Sequence, residues 1–368
     1  MGSDRDKFLM LLQRAIQKDA SDIHLKTGSV PYYRVDGLME PQEGEPLQHD
    51  DLENISNILL SEDQKRQLSR RGEVDLAFTE KGVGRFRVNI FRQRGMLSFV
   101  MRRIKTKLLN FDQLHLPPAV KKLTELVRGL VLITGTTGSG KSTALAAIID
   151  AINETRKCHI VTIEDPIEFV HQDKMAVINQ REVAIDTKDF ASALKSVMRQ
   201  DPDVILVGEM RDLETFQAAV SAAETGHLVF STLHTTNVMQ TMDRIIDLFP
   251  STQHDQVRSQ LSMNLKGILS LRLLPRADGV GRVPACELLF MPPSVRKLIK
   301  ENRTAQLETA IHQGRDEGMQ TFNDSLHDLV KSGLVELDVA LDNSENPEEL
   351  QMLIQGIRLS AKKGGLLT

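Results

Sequence analysis

A chain of 368 residues has room for two to three domains of roughly 150 residues each, which excludes single-motif peptides and disulfide miniproteins. With 40% hydrophobic and 26% charged residues, it has the composition of a folded globular chain and not of a fibre or a disordered polymer. Its 46 basic and 50 acidic residues leave a net charge of -4, and it has no Trp and two Tyr, so neither a global pull on nucleic acid nor an aromatic platform for single strands is expected.

Cys158 and Cys286 form no C-x-x-C pair, so neither a disulfide framework nor a cysteine zinc site is indicated and a reducing cytoplasm fits. No apolar run reaches about 18 residues, and the start lacks a signal-peptide core, so no transmembrane segment is expected. Asp6 stands where a myristoylation signal wants Ser or Thr, which argues against lipidation.

In chain order, Phe8, Leu11, Leu12, Ala15 and Ile16 recur at helical spacing behind Asp4, a candidate N-cap. SDIHLKTGSVPYYRVDG alternates and turns like a hairpin, and one helical pattern spans about His49 to Ser69. GRFRVNIF and MLSFVMR then alternate as strands. This order predicts a small α+β domain over 1–107. Residues 108–118 lose their period and end in Pro117-Pro118, which reads as a linker. Over 119–291 the strands GLVLITG, HIVTIED, DVILVGE and HLVFSTLH precede helical stretches. That alternation predicts an α/β domain with a parallel sheet that binds ligands at its carboxyl edge. Residues 292–356 are helical in spacing, and 357–368 read as a disordered tail.

Gly135, Thr136, Thr137, Gly138, Ser139, Gly140, Lys141 and Ser142 fit G-x-x-x-x-G-K-[ST], with Thr143 continuing into the helix. Strand before and helix after are the context the motif requires. Backbone N–H groups would cradle phosphates, Lys141 would reach the β and γ phosphates, and the Ser142 hydroxyl could ligate Mg²⁺. ATP or GTP binding follows. Hydrolysis also needs carboxylates near the γ phosphate. Glu164 lies just past one strand and Glu209 ends another, DPDVILVGE, with Gly208 where P-loop proteins usually place a metal-binding aspartate. Either carboxylate alone could be a salt-bridged surface group; beside a phosphate loop the pair favours catalysis.

His227 and His234 flank one strand. Seven extended residues span roughly 23 Å, so the two imidazoles cannot share one γ phosphate. His234 is expected near the phosphates, and His227 at the far end, as a structural hydrogen bonder or against another subunit. A hairpin centred on Arg94-Gly95 pairs Val88 with Met101 and Ile90 with Phe99, and sets Arg87 opposite Arg102. Opposed like charges cost roughly 0.2 to 1 kcal/mol, so an anion is expected beside them. The alternatives are a nucleotide phosphate, with the arginines acting as fingers, or solvent over a basic face.

The ordered motifs 135-GTTGSGKST-143, 160-IVTIEDPIEFVH-171, 200-QDPDVILVGEMRDLET-215 and 222-AAETGHLVFSTLHTTN-237 resemble those of the secretion ATPase superfamily, and within it the type IV pilus retraction branch (PilT/PilU). The resemblance spans about 6–356. It implies an N-terminal PAS-like domain joined to a RecA-like ATPase domain, and a cytoplasmic homohexamer peripheral to the inner membrane at the pilus base. It also implies ATP and Mg²⁺ held between the two domains, with Arg87 and Arg102 as fingers. Glu164 would activate water and Glu209 would join the Mg²⁺ shell. The implied partners are the inner-membrane pilus platform protein and a paralogous pilus ATPase. With two cysteines and no further N-terminal domain, retraction is favoured over extension. The segment 294-SVRKLIKE-301 stands for the branch motif AIRNLIRE, departing at Ser294, Val295, Lys297 and Lys300; Leu271 replaces a common Gln. The competing readings are an accessory PilU-like ATPase with low autonomous activity, which 318-GMQTFNDSL-326 favours, and a DNA-handling P-loop motor.

Overall fold

The computed structural model describes residues 4–35, 37–104 and 108–356. Contacts divide the chain into two units, Met1–Lys107 with Glu168–Val170, and Leu108–Ile167 with His171–Thr368. The expected tail over 357–368, and the boundary residues 105–107, lie outside the described residues.

The first unit opens with α1 (Asp4–Gln17), β1 (Asp22–Lys26), β2 (Tyr32–Val35) and β3 (Leu38–Pro41). It continues with α2 (His49–Leu59), α3 (Glu62–Arg71), β4 (Glu73–Glu80), β5 (Gly84–Gln93) and β6 (Met96–Ile104). The strands form one sheet in the order β3-β2-β1-β6-β5-β4. Phe8, Leu12 and Ala15, one stripe of α1, are buried in one core with Ile23, Val88, Ile90, Phe99 and Met101. The hairpin falls where the apolar alternation puts it. Arg94 and Gly95 both take positive φ, the backbone of a two-residue turn between right-twisted strands, and Val88 pairs with Met101 and Ile90 with Phe99.

Two local readings differ from the structure. Asp4 is the first residue of α1 and not its cap. The single helix expected over His49–Ser69 is two helices, because Ser61 accepts the Gln64 N–H while Gln64 returns a bond to the Ser61 backbone. That reciprocal cap starts a new helix and outweighs the continuing hydrophobic period.

The second unit carries β7 (Gly129–Thr134), α4 (Lys141–Thr155), β8 (His159–Glu164), β9 (Val177–Glu182), α5 (Phe190–Val197) and β10 (Val204–Val207). Then come α6 (Leu213–Glu224), β11 (Leu228–Leu233), α7 (Val238–Asp247), α8 (His254–Asn264), β12 (Leu265–Pro275) and β13 (Arg282–Phe290). The helices α9 (Pro293–Lys300), α10 (Leu307–Gln313), α11 (Phe322–Lys331), α12 (Leu337–Asp342) and α13 (Pro347–Ile354) follow. The sheet order is β13-β12-β7-β11-β10-β8-β9. Its pairs are parallel except β12 with β13, as an α/β fold requires. All residues of β7, β10 and β11 are buried, so these near-continuous apolar runs are covered on both faces. The segment 108–118 is not a bare tether: Phe111 and Leu116 are buried with Val120 and Leu123, since apolar side chains of that size favour a core over water.

Candidate nucleotide site

The phosphate loop is the reversal between β7 and α4. Gly135 there takes φ +144°, and a Cβ on it would lie 2.5 Å from the Leu271 carbonyl and overlap the Ser139 side chain; only glycine fits. Lys141, the first residue of α4, is buried, and its Nζ donates to the carbonyls of Gly135 at 2.7 Å and Thr136 at 2.9 Å. Thr136, Thr137 and Gly138 form the exposed tip, while Gly140, Ser142 and Thr143 are half-buried. The Ser139 hydroxyl is buried without a hydrogen-bond partner among the described residues. Such a group costs about 1–3 kcal/mol, and a phosphate oxygen is an acceptor that would satisfy it. Together with the unpaired N–H groups that open any helix, the loop fits a nucleotide phosphate.

Sheet register sets the other groups beside this loop. Thr134 pairs with Leu233, and Val207 pairs with both Ser231 and Ile163. Gly135, His234, Gly208 and Glu164 are each the next residue after one of these ends, so all four lie on the carboxyl edge. Gly208 is held from both sides: its N–H donates to Ile163 O at 2.7 Å and its carbonyl accepts from Thr232 Oγ1 at 2.6 Å. A Cβ there would meet Ile163 O at 3.2 Å and Glu164 Cα at 3.3 Å. This crowding explains a glycine at that position, one residue before the carboxylate.

The Glu209 carboxylate, 8% exposed, lies 2.5 Å from Arg211 Nη2 and 3.4 Å from His234 Nε2. Glu164 Oε1 accepts from Thr162 Oγ1 at 2.6 Å and from Gln180 Nε2 at 3.0 Å. The edge therefore holds a cationic phosphate loop, two fixed carboxylates and an imidazole. These are parts for binding a phosphoanhydride and orienting water on it.

His227 is not brought to this edge. It precedes β11 at the opposite end of the strand, where its carbonyl accepts the Gly129 N–H and its Nδ1 lies 2.9 Å from Ala222 O. Arg87 and Arg102 are on the first unit, directly opposite each other. They belong to a row across four strands: Arg34 pairs with Asp22, Asp22 with Arg102, and Arg102 with Arg87. Arg102 Nε donates to Asp22 Oδ1 at 2.8 Å, so the anion expected beside the arginines is, for Arg102, a carboxylate of the same sheet. Burial pushes the Asp22 carboxyl up, yet the Ser21 hydroxyl, Arg102 and Arg34 outweigh it and hold it below its usual range. Arg87 takes no acceptor among the described residues.

The chain matches the family of type II/IV secretion system proteins over residues 6–364. It belongs to that family. It is 45% identical over 338 residues, 92% of this chain and 98% of the other, to the type IV pilus retraction ATPase PilT of Pseudomonas aeruginosa. It is 39% identical over 349 residues, 95% and 91% of the two chains, to the type IV pilus ATPase PilU of the same organism. The crystal structure of the pilus retraction motor PilT with bound ADP superposes with a TM-score of 0.87 at 46% identity, covering 93% of this chain and 98% of that one. The family chain thus joins an N-terminal α+β domain to an ATPase domain, as the motifs implied.

Gln180 and Asp22 were missed by sequence reasoning. Each bonds a side chain on the neighbouring strand that is far away in sequence, and VINQRE and SDIH carry no motif that signals it. Glu308, His312 and Glu349 bring ligand-type atoms within 4.8 Å of one another, but they are a poor metal site. Arg315 donates to His312 Nδ1 at 3.2 Å, which puts the ring proton on Nε2, the atom 3.4 Å from Glu349. No lone pair then remains for a cation there.

Proposed function

We propose that this chain is the ATP-hydrolysing subunit of a homohexameric motor that powers type IV pilus retraction, working in the cytoplasm against the inner-membrane platform protein at the pilus base. The observation that supports it most is the convergence of the phosphate loop, Glu164, Glu209 and His234 on one sheet edge. In this reading the loop N–H groups and Lys141 hold the triphosphate. Glu164 orients a water on the γ phosphorus and accepts its proton as the bond to ADP breaks. Ser142 and Glu209 would hold Mg²⁺, which when bound neutralises charge on the phosphate oxygens. His234, 3.4 Å from Glu209, would sense the γ phosphate. Arg87 and Arg102 would complete the charge balance as fingers from a neighbouring subunit, and His227 would serve at a subunit boundary. No helix among the described residues is long and apolar enough to cross a membrane, so the platform would be met from outside the bilayer.

A second reading, the accessory paralogue, draws on the comparable identity to PilU. In the segment 294–301, however, Ser294, Lys297 and Lys300 are exposed departures while Val295 and Ile299 stay buried, so the helix keeps its frame. ATP turnover and solution mass of the purified chain, with Glu164→Gln as control, separate the two. A hexamer whose turnover falls about 10²- to 10⁴-fold on that substitution is an autonomous motor. A nucleotide-bound hexamer without turnover is the accessory protein, and turnover stimulated by DNA would move the chain to the DNA motors.

A further inference from the structure

We propose that Gln180 is a positioning residue for hydrolysis, holding the Glu164 carboxylate in its working orientation. The inference rests on the reading of Glu164 as the group that orients water. Gln180 lies on β9, in register with Thr162 on β8. Its Oε1 accepts the backbone N–H of His171 at 2.8 Å, and its Nε2 donates to Glu164 Oε1 at 3.0 Å.

A backbone N–H can only donate and a carboxylate can only accept, so the amide has one allowed orientation. Thr162 Oγ1, fully buried, donates to the same Glu164 oxygen. Two donors on Oε1 fix the rotation of the carboxylate and thereby the direction of its second oxygen. Glutamine alone, at this length, presents an acceptor to position 171 and a donor to position 164.

Glu182 is the register partner of Glu164 on β9, and Asp165 follows it in sequence. On the β10 side Glu209 is already paired with Arg211 and His234. On α5, Lys195 is tied to Glu214 at 2.6 Å; on β9, Arg181 is in register with Ile163, and its Nη2 donates to Asp186 O. Burial holds the His171 ring below its ordinary pKa, against the attraction of Asp150.

Gln180→Glu is the discriminating change. A carboxylate oxygen still accepts the His171 N–H, so a purely structural role survives, but an anion now faces Glu164. In the full-length hexamer kcat is expected to fall about 10- to 100-fold with KM and ADP affinity unchanged. The acid limb of the pH profile is expected to move up by about one unit or more, as for a coupled carboxyl pair. Gln180→Met, which cannot donate, is expected to lower kcat with KM unchanged, and it decides the matter if the glutamate variant does not assemble. In a Glu164→Gln background neither change lowers single-turnover rates further. A wild-type kcat and acid limb in Gln180→Glu, or an equal loss in the Glu164→Gln background, overturns the proposal. Normal turnover by Glu164→Gln alone would instead remove the reading on which it rests.

Discussion

Glu287 gives the sharpest stability prediction. It lies on β13, 8% exposed, with Oε2 accepting the Val238 N–H at the start of α7 at 2.7 Å. Burial pushes its carboxyl from 4.5 up to about 7, with Glu345 and Glu308 adding to the rise and the Val238 amide and Arg272 opposing it. Between those values the folded chain keeps a proton that the unfolded chain has released. Stability therefore falls as pH rises through the window and levels off above it. At about 1.4 kcal/mol per pH unit, the span from 4.5 to about 7 is worth about 3 kcal/mol. Glu287→Gln keeps the size and the acceptor for Val238 but has no charge to desolvate. The variant is expected to match the wild type near pH 4.5 and to exceed it by about 3 kcal/mol at pH 8, a rise in Tm of roughly 6–12 °C for a unit of this size. Heat denaturation of both proteins from pH 4.5 to 8.5, at one protein concentration, measures it. A Tm difference that stays constant with pH, or a variant less stable at pH 8, would refute the reasoning.

Two further outcomes concern the site. Gly138 also has positive φ but open space for a Cβ, so Gly138→Ala should cost only the left-handed strain, about 1–2 kcal/mol, and weaken nucleotide binding modestly. Gly135→Ala adds overlap with the Leu271 carbonyl and should abolish binding of a fluorescent ATP analogue; equal affinities of the two variants would contradict the loop geometry. Arg102 is 72% exposed at its side chain but its partner Asp22 is buried, so Arg102→Ala should cost about 1–3 kcal/mol of stability yet lower turnover about 10³-fold or more if the guanidinium acts as a finger. Full turnover in an intact ring would exclude that role.

Local signals gave the fold where neighbours in sequence decide it. The β5-β6 hairpin was legible because alternation and the Arg94-Gly95 turn agree. The break between α2 and α3 had a signal too, Ser61 followed by Gln64, but the hydrophobic period runs on across it and won the reading. β9 was not legible. Val177–Glu182 has a polar face and an exposed first residue, and it is a strand only because the edge of β8 is there to pair with it, a tertiary choice that propensity does not carry.

The site divides the same way. Phosphate loop, Glu164, Glu209 and His234 each follow an apolar strand, so chain order alone placed them on one carboxyl edge, and the length of β11 separated His227 from them. What sequence could not show were the partners: Gln180 is 16 residues from Glu164, and Asp22 is 80 from Arg102. The arginine row shows how such a partner changes an expectation without cancelling it. Like charges opposed in a sheet predicted an anion, and Asp22 is one. It is also approached by Arg34 at 3.8 Å, so one carboxylate stands in a row with three guanidiniums, and Arg87, at the end of it, takes no acceptor among the described residues. The excess of positive charge survives the internal pair. An incoming phosphate would meet Arg87 without first displacing a carboxylate, whereas Arg102 would exchange one anion for another. Loss of Arg87 should therefore weaken ATP capture more than loss of Arg102 at low salt, and the difference should shrink as ionic strength rises.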